Sequence, residues 1–454
     1  MRKEGRPRVT MTMPAGLGPL DYERADREAI VERQREQFVR MLERVGREVP
    51  YYRSAFDAIG FRSGDVVDLD ALRQLPLTGK ADLRDHGGEL LIADDPVDFV
   101  SSSGTSGRPV ILPIRRSEEP LRVWPIRRVL TELGLGSGDR VLHTFGMSAL
   151  YVIGYYAALA LREQGCALVR TGPGMEERQI DVIRDLEPTA FVGNPSFMLA
   201  LADEARRQGF DPRTSSLRKG LLATATPFGA DLQPRDTRVK LEESWNLTLT
   251  LTHYGSSEIG PIGYECRCHQ GYHVHEDVVL VERLDPHTLE PVQPDAPGEA
   301  VITHLDARRG FTAVRYRTGD LVAWSSAEPC PCGRTTLRLG PVIGRIDQQI
   351  KLRGQNIMPD FLLALVDPLE EVGAAVIEAF RREDTGEDWF RVKVGVHDPE
   401  AGARTAELVR AKIAAHIPTS IPVEVVPIEA VRRQQQESAA RTGGNKVSRF
   451  FDYR

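Results

Sequence analysis

Residues 101–113 (SSSGTSGRPVILP) are rich in glycine and hydroxyl side chains. Small residues let the backbone approach a ligand closely, so that its N–H groups and the neighbouring hydroxyls can surround a polyphosphate. The same composition is equally typical of a flexible turn. The segment lacks the Gly-Lys-Ser/Thr ending of a Walker loop, which argues against a P-loop kinase or ATPase.

Four of the five cysteines lie in two close pairs, Cys266 with Cys268 and Cys330 with Cys332. Five cysteines in so long a chain do not make a disulfide framework, so this clustering favours a metal ion. A Cys-x-Cys-Gly turn can present two sulfurs to one ion, which predicts a closed, structural, tetrahedral Zn²⁺ site. The predicted ligands are Cys266, His273, Cys330 and Cys332. Cys268 and His269 are spare candidates, and the alternative is a loop of reduced cysteines without a metal.

Further segments follow in a fixed order. They are HYGSSEIG at 253–260, YRTGDL at 316–321, GRIDQQIKLRGQNIMP at 344–359 and the late lysine Lys446. Together with residues 101–113 they resemble the motifs of acyl-adenylate-forming ligases. The resemblance covers nearly the whole chain.

Four further segments point to one branch of these ligases. VPYYRSAF at 49–56 and LPLTGKADLR at 75–84 resemble segments of phenylacetate–coenzyme A ligases. CRCHQGYHVHED at 266–277 and CPCGRT at 330–335 are similar to the cysteine–histidine insert of that branch.

The resemblance implies an enzyme that binds ATP, Mg²⁺ and coenzyme A. Glu258 would hold Mg²⁺, since a carboxylate suits a hard cation. Tyr254 would stack on adenine, and Asp320 would bind the ribose hydroxyls with help from Arg345. The residues implied to clasp the β- and γ-phosphates are Ser102, Ser103, Gly104, Thr105, Ser106 and Gly107. Further nucleotide-binding residues are Gly255, Ser256, Ala223 and Thr224.

Two residues of the last third are implied in catalysis besides Glu258. Lys446 resembles the lysine that bridges the substrate carboxylate and the α-phosphate during adenylation. Asp347 falls at the hinge about which the small domain turns between half-reactions. The Gly354 loop would then face the thiol tunnel.

The acid-binding pocket is predicted between residues 145–151 (FGMSALY) and 193–197 (GNPSF). Its predicted residues are Phe145, Gly146, Tyr151, Asn194 and Pro195. Their mixture of aromatic and small side chains fits a flat aromatic acid better than a long fatty chain. Where relatives carry Gly-Ala/Gly-Glu-Pro, this chain has ATATPFG at 223–229, and the missing glutamate leaves the polarity of the pocket open.

The surrounding sequence predicts the elements that position these residues. Residues 23–49 carry apolar side chains at helical spacing and predict an amphipathic helix. From about residue 139, short apolar runs alternate with helical stretches such as 195–208, which predicts a largely parallel sheet with ligands at its carboxyl edge. The predicted parallel strands are 140–144, 167–171, 190–193, 220–225 and 247–253. Residues 278–284 and 298–304 predict antiparallel strands of a smaller β subdomain.

The composition changes again after residue 344. A strand at 390–396, a helix at 405–416 and a strand at 422–427 predict a compact α+β unit, and the polar residues 432–444 predict a mobile loop that carries Lys446. The predicted fold class is therefore α/β, with a large domain (1–343) and a small mobile α+β domain (344–454). The large domain includes a zinc-bearing β subdomain at about 260–340.

The chain has 454 residues and a formal net charge of -6. This charge offers no general attraction to nucleic acid or to an anionic membrane. No stretch approaches the ~20 apolar residues of a membrane span, so we expect a cytoplasmic protein. A homodimer is left open.

The leading interpretation is an enzyme that activates an aryl or arylacetic acid as an acyl-AMP and passes it to coenzyme A. A second interpretation has a carrier protein or an amine as acceptor, or has the enzyme stop at nucleotidyl transfer, as coenzyme F390 synthetases of the same branch do. A third is a catalytically silent, zinc-stabilised binding module. The presence of Glu258, Asp320, Arg345 and Lys446 together argues against the third.

Overall fold

The computed structural model describes residues 20–66, 68–102, 109–148, 150–352, 355–381, 388–417, 421–440 and 447–454. The helices in these ranges are α1 (Arg27–Glu48), α2 (Pro50–Ala58), α3 (Lys80–Asp85), α4 (Gly87–Leu90), α5 (Glu119–Glu132), α6 (Val152–Glu163), α7 (Glu176–Leu186), α8 (Pro195–Arg207), α9 (Asp236–Trp245), α10 (Pro359–Val366), α11 (Gly402–Ala414) and α12 (Ile428–Ala440).

The strands of the large domain are β1 (Pro96–Ser101), β2 (Ile111–Arg115), β3 (Arg140–His143), β4 (Ala167–Arg170), β5 (Ala190–Gly193), β6 (Lys219–Leu222), β7 (Leu249–Ser256), β8 (Gly260–Glu265), β9 (Tyr272–Val274), β10 (Val279–Leu284), β11 (Gly298–His304), β12 (Tyr316–Val322), β13 (Ser325–Ser326), β14 (Arg338–Leu339) and β15 (Val342–Arg345). Those that follow are β16 (Ile350–Leu352), β17 (Gln355–Ile357), β18 (Ala374–Arg381), β19 (Asp388–Val396), β20 (Val423–Pro427) and β21 (Phe450–Asp452).

A nine-stranded sheet in the order β13-β14-β9-β8-β7-β6-β5-β3-β4 forms the centre of the large domain. Strands β7, β6, β5, β3 and β4 run parallel to one another, as predicted from the apolar runs. Consecutive residues of these strands enter two different cores: Val192 packs with α5 and α6, whereas Phe191 packs with α7, α8 and α9. Because both faces of the sheet are covered, the buried positions of the parallel strands are mainly apolar.

One predicted parallel strand was too long. Residues 220–225 were expected to form a strand, but β6 ends at Leu222. Thr224 has a φ of +65°, which is a left-handed conformation that a strand does not accommodate. The chain therefore turns where the sheet reaches its carboxyl edge.

A second sheet has the antiparallel order β10-β11-β12-β15 and contains the two strands predicted at 278–284 and 298–304. The pairing of β12 with β15 sets Asp320 directly opposite Arg345. In contrast, β8, β9, β13 and β14 extend the central sheet. The strands of residues 260–340 are thus divided between two sheets.

Helices α1 and α2 pack against segments far along the chain. As predicted, α1 buries an apolar stripe that includes Phe38, Met41 and Leu42. The hydroxyl of Tyr52 donates to the carbonyl of Thr312 (3.0 Å) and accepts from the N–H of Val314 (3.1 Å). The amino-terminal helices are therefore part of the main core and not a separate unit.

The carboxy-terminal residues form a sheet in the order β20-β19-β18-β21 and have a core cluster of their own. The prediction of a mobile loop at 432–444 was wrong up to residue 440, because α12 covers Ile428–Ala440. Arg, Gln, Glu and Ala favour helix, and the buried Ile428 and Val431 anchor it to the sheet. The boundary at residue 344 stays a prediction. Among the described residues, none of the helices has the length and apolar content needed to cross a membrane.

Candidate active site

A cavity of about 710 Å³ lies at the carboxyl ends of β5, β6 and β7, where α/β sheets bind their ligands. Helices α5 and α6 form one side, and β12 with residues 345–347 forms another. The predicted site residues on its wall are Tyr151, Ala223, Thr224, Gly255, Ser256, Glu258, Asp320, Arg345 and Asp347. Residues from distant parts of the sequence therefore meet around one space.

Glu258 follows the end of β7 in a tight turn. A side chain at Gly255 would bring its Cβ within 2.5 Å of the carbonyl oxygen of Gly260, so only glycine fits there. The N–H of Ile259 donates to the hydroxyl of Ser256 (3.2 Å), and Arg122 donates to the carbonyl of Ser257 (3.1 Å). These contacts fix the turn that presents Glu258 to the cavity. Glu258 is 9% exposed.

Asp320 is held by two donors. Arg345 donates to one carboxylate oxygen (2.6 Å), and the hydroxyl of Tyr254 donates to the other (2.9 Å). Arg345 also donates to Asp347 (3.0 Å). Burial opposes the charge of Arg345, but Asp320 and Asp347 outweigh it and raise the pKa of Arg345. The result is a fixed carboxylate at the cavity wall, suited to accepting hydrogen bonds from a ligand.

The side chain of Tyr254 packs inside the protein. Its ring is buried and lies 5.6 Å from the ring of Tyr272, and the residue is absent from the described wall of the cavity. Burial and the neighbouring Asp320 raise the pKa of Tyr254, so its hydroxyl stays protonated as a donor. Stacking of Tyr254 on adenine stays a prediction.

Four residues predicted for the acid pocket are not among the residues described on the cavity wall: Phe145, Gly146, Asn194 and Pro195. Asn194 caps α8 by accepting from Ser196 (2.8 Å) and donates to the hydroxyl of Thr224 (2.6 Å). A Cβ at Gly154 would lie 2.0 Å from the carbonyl oxygen of Gly146, so α6 packs directly on that segment. Direct contact of these four residues with an acid stays a prediction.

Several predicted residues lie outside the described ranges: Ser103, Gly104, Thr105, Ser106, Gly107, Gly354 and Lys446. Ser102 is described and buried. Its N–H donates to the carbonyl of Val110 (2.9 Å), and its hydroxyl accepts from the N–H of Val110 (3.0 Å). Ser102 thus closes the base of the segment, and contact of its side chain with a phosphate stays a prediction.

Two cavity cations were missed by sequence reasoning. Lys80 begins α3, and burial lowers its pKa while the nearby Glu258 opposes that change. Arg122 on α5 donates to Glu118 (2.7 Å) in addition to Ser257. The segment that contains Lys80 indicated only a family resemblance. Arg122 lies between apolar residues in the sequence, and no motif marked it as a site residue. Both add positive charge beside the turn of Glu258.

The predicted metal ligands meet in a second site. One ligand atom from each of Cys266, His273, Cys330 and Cys332 lies within 4.8 Å of all the others. The sulfurs of Cys266 and Cys330 are 3.8 Å apart, and the sulfur of Cys332 is 3.5 Å from Nε2 of His273. Tetrahedral zinc, with its usual bond lengths, places two sulfurs ~3.8 Å apart and a sulfur and a nitrogen ~3.6 Å apart. The four side chains therefore fit a zinc ion.

The surroundings support the same arrangement. Nδ1 of His273 lies 3.0 Å from the hydroxyl of Thr336, which leaves Nε2 for a metal. Arg334 donates to the sulfur of Cys332 (3.4 Å) and would stabilise a thiolate. Cys268 is outside the described cluster, and Nδ1 of His269 lies 2.8 Å from Glu265. The spare candidates are therefore not needed.

Comparison with known proteins identifies the family. The phenylacetate–coenzyme A ligase of Thermus thermophilus is 30% identical over 458 residues, covering 96% of this chain and 99% of that protein. The enzyme of the same name from Pseudomonas putida is 32% identical over 351 residues and 76% of each chain. The chain belongs to the phenylacetate–coenzyme A ligase family. No protein-family model matches it.

Solved structures agree with this family assignment at the level of fold. A 2-hydroxyisobutyryl-CoA ligase in the postadenylation state superposes with a TM-score of 0.83 and 21% identity, covering 99% of this chain and 95% of that chain. The same ligase in the thioesterification state gives a TM-score of 0.66. The predicted α/β fold class is thus confirmed as the adenylate-forming fold of this family.

Proposed function

We propose that the protein activates an aromatic carboxylic acid with ATP and transfers the acyl group to coenzyme A. The observation that carries this proposal is the single cavity in which Glu258, Asp320 and Arg345 meet although the sequence separates them widely. Family membership supports the same reaction. The substrate acid is taken as aryl or arylacetic because apolar and aromatic side chains line the α6 side of the cavity.

The reaction has two steps. A carboxylate oxygen attacks the α-phosphorus of ATP, the bond to the β-phosphate breaks, and pyrophosphate leaves. The thiol of coenzyme A, as its thiolate, then attacks the acyl carbon and AMP leaves. Both steps require charge stabilisation and exact alignment of the reacting groups.

The residues of the site suit these requirements. Asp320, fixed by Tyr254 and Arg345, would accept hydrogen bonds from the ribose hydroxyls. Lys80 and Lys446 would offset the phosphate charge. Glu258 would hold Mg²⁺, which supplies positive charge against the phosphates when bound. A structural Zn²⁺ would occupy the cysteine–histidine cluster and take no part in the chemistry.

The test is pyrophosphate release with a panel of aryl and arylacetic acids, measured with and without coenzyme A. We expect acid-dependent release and, with coenzyme A, formation of a thioester together with AMP. Acyl-AMP that accumulates and reacts only with an amine or a carrier protein would favour the second interpretation. Absence of pyrophosphate release with every acid would contradict the proposal.

Asp320→Ala is expected to raise KM for ATP by roughly 10- to 100-fold, because the ribose hydroxyls would lose a charged acceptor. The measurement is the ATP dependence of pyrophosphate release at saturating acid. Tyr254→Phe serves as the matched variant, since it removes one donor to Asp320 and keeps the carboxylate. A KM unchanged in Asp320→Ala would exclude the ribose assignment.

Asp347→Pro is expected to preserve acyl-AMP formation and to slow transfer to coenzyme A. Asp347 lies in a 3₁₀ turn after β15, and such turns use φ values of roughly −50 to −70° that proline matches. Proline would therefore hold the present arrangement against the rotation that we propose for the second step. The two half-reactions are measured separately. Asp347→Ala is the control, because it removes the same carboxylate and leaves the backbone free; equal loss of both half-reactions in Asp347→Pro would contradict the hinge.

A further inference from the structure

The α5 and α6 side of the cavity is mainly apolar. Its apolar side chains are Ile126, Val152, Ile153, Ala157, Val192 and Leu221. Among the polar side chains that interrupt this surface are those of His253, near the end of β7, and Tyr151, at the start of α6. Histidine and tyrosine side chains can each recognise a single polar atom of a ligand through a hydrogen bond.

Neither polar group is satisfied within the part of the protein that the structure describes. Nε2 of His253 and the hydroxyl of Tyr151 are buried and have no hydrogen-bond partner among the described residues. Burial alone lowers the pKa of His253 to about 4 and raises the pKa of Tyr151, because no charged neighbour contributes to either shift. Both side chains are therefore neutral at pH 7 and have unused hydrogen-bonding capacity.

The neighbouring polar groups provide a contrast. Tyr156 lies on the same wall, but its hydroxyl donates to Asp98 (3.1 Å). Arg122 also lies there, and its guanidinium is paired with Glu118. Buried polar groups in folded proteins almost always have a partner, and an unpaired one requires an explanation. A ligand that supplies the missing partner is one such explanation.

We propose that the acid substrate carries a hydroxyl group on its aromatic ring, and that His253 and Tyr151 bind this hydroxyl. The proposal rests on the ligase function above and defines its substrate class. A hydroxyl can donate to one of the two residues and accept from the other. A second carboxylate is disfavoured, because the charge of Arg122 is already paired and burial of an uncompensated anion is costly.

The first experiment compares the unaltered enzyme on matched acids. Benzoate is compared with 2-, 3- and 4-hydroxybenzoate, and phenylacetate with its three hydroxylated isomers, by initial rates of pyrophosphate release. We expect kcat/KM for at least one hydroxylated acid to exceed that for its parent by about ten-fold or more. If kcat/KM for each parent acid equals that for every one of its hydroxylated isomers, the proposal is wrong. Water would then supply the missing hydrogen bonds to His253 and Tyr151.

The second experiment uses His253→Leu and Tyr151→Phe, which remove the polar atoms with little change in volume. The ratio of kcat/KM for the preferred hydroxylated acid to that for its parent should fall by about ten-fold in each variant. Tyr155→Phe is the matched control, since Tyr155 lies next to this region but outside the described cavity wall. An unchanged ratio in Tyr151→Phe and His253→Leu would overturn the assignment.

The outcomes separate the two proposals. Absence of pyrophosphate release with any acid contradicts the ligase function itself. Release without preference for a hydroxylated acid leaves the ligase function in place and removes only this inference. Thermal melting of each variant shows whether it is folded, and the comparison on the unaltered enzyme decides the question without any variant.

Discussion

Lys446→Ala is expected to lower acid-dependent pyrophosphate release by about 100- to 1,000-fold while ATP still binds. The lysine would act on charge that develops as the carboxylate attacks the α-phosphorus, so its loss affects the transition state more than the bound ground state. The measurements are single-turnover acyl-AMP formation and equilibrium binding of ATP.

Lys412→Ala is a suitable control for this experiment. Lys412 is an exposed lysine on α11, in the same carboxy-terminal part of the chain. Its removal changes the net charge equally and should leave adenylation intact. Full acyl-AMP formation by Lys446→Ala would show that another cation, such as Lys80, performs this role.

The double variant Cys330→Ser/Cys332→Ser is expected to lose its zinc and to melt roughly 10 °C lower. The unaltered protein, purified without added metals, should contain about one zinc ion per chain. Because the predicted ion has a structural role, the remaining folded enzyme should keep most of its kcat. Metal analysis and thermal melting test the two parts separately.

Cys268→Ser provides the matched control for the metal site. Cys268 is near the cluster in sequence but is not one of its four described members. This variant should retain both the zinc and the melting temperature. A zinc-free preparation of the unaltered protein with full stability would contradict the structural zinc site.

The central sheet could be predicted because its strands have a simple physical signature. A strand covered on both faces is mainly apolar, and β5 (AFVG) shows this directly. The antiparallel extension by β8, β9 and β14 could not be predicted, since short strands gain their partners only in the folded chain. Helix α12 was missed because its many polar residues obscured its high helix propensity.

The candidate site also contains residues that the sequence predicted and residues that it did not. Glu258, Asp320 and Arg345 lie in motifs with a recognisable order, so their meeting in one cavity could be anticipated. Lys80 and His253 line the same cavity, but their roles depend on which side chains surround them. Burial, unpaired atoms and neighbouring charges are properties of tertiary structure and cannot be deduced from the sequence alone.

The packing of α1 and α2 against the second half of the large domain has a consequence during synthesis. Gln37 donates to the carbonyl of Asp277, and Tyr52 donates to that of Thr312, across 240 and 260 positions of the chain. At 5–20 residues per second, a ribosome needs roughly 12 to 50 s to produce these partners. During that time, any apolar surface of α1 and α2 that packs against these later segments stays exposed on the nascent chain. The main core of the large domain should therefore be completed only after the segments around Asp277 and Thr312 have left the ribosome.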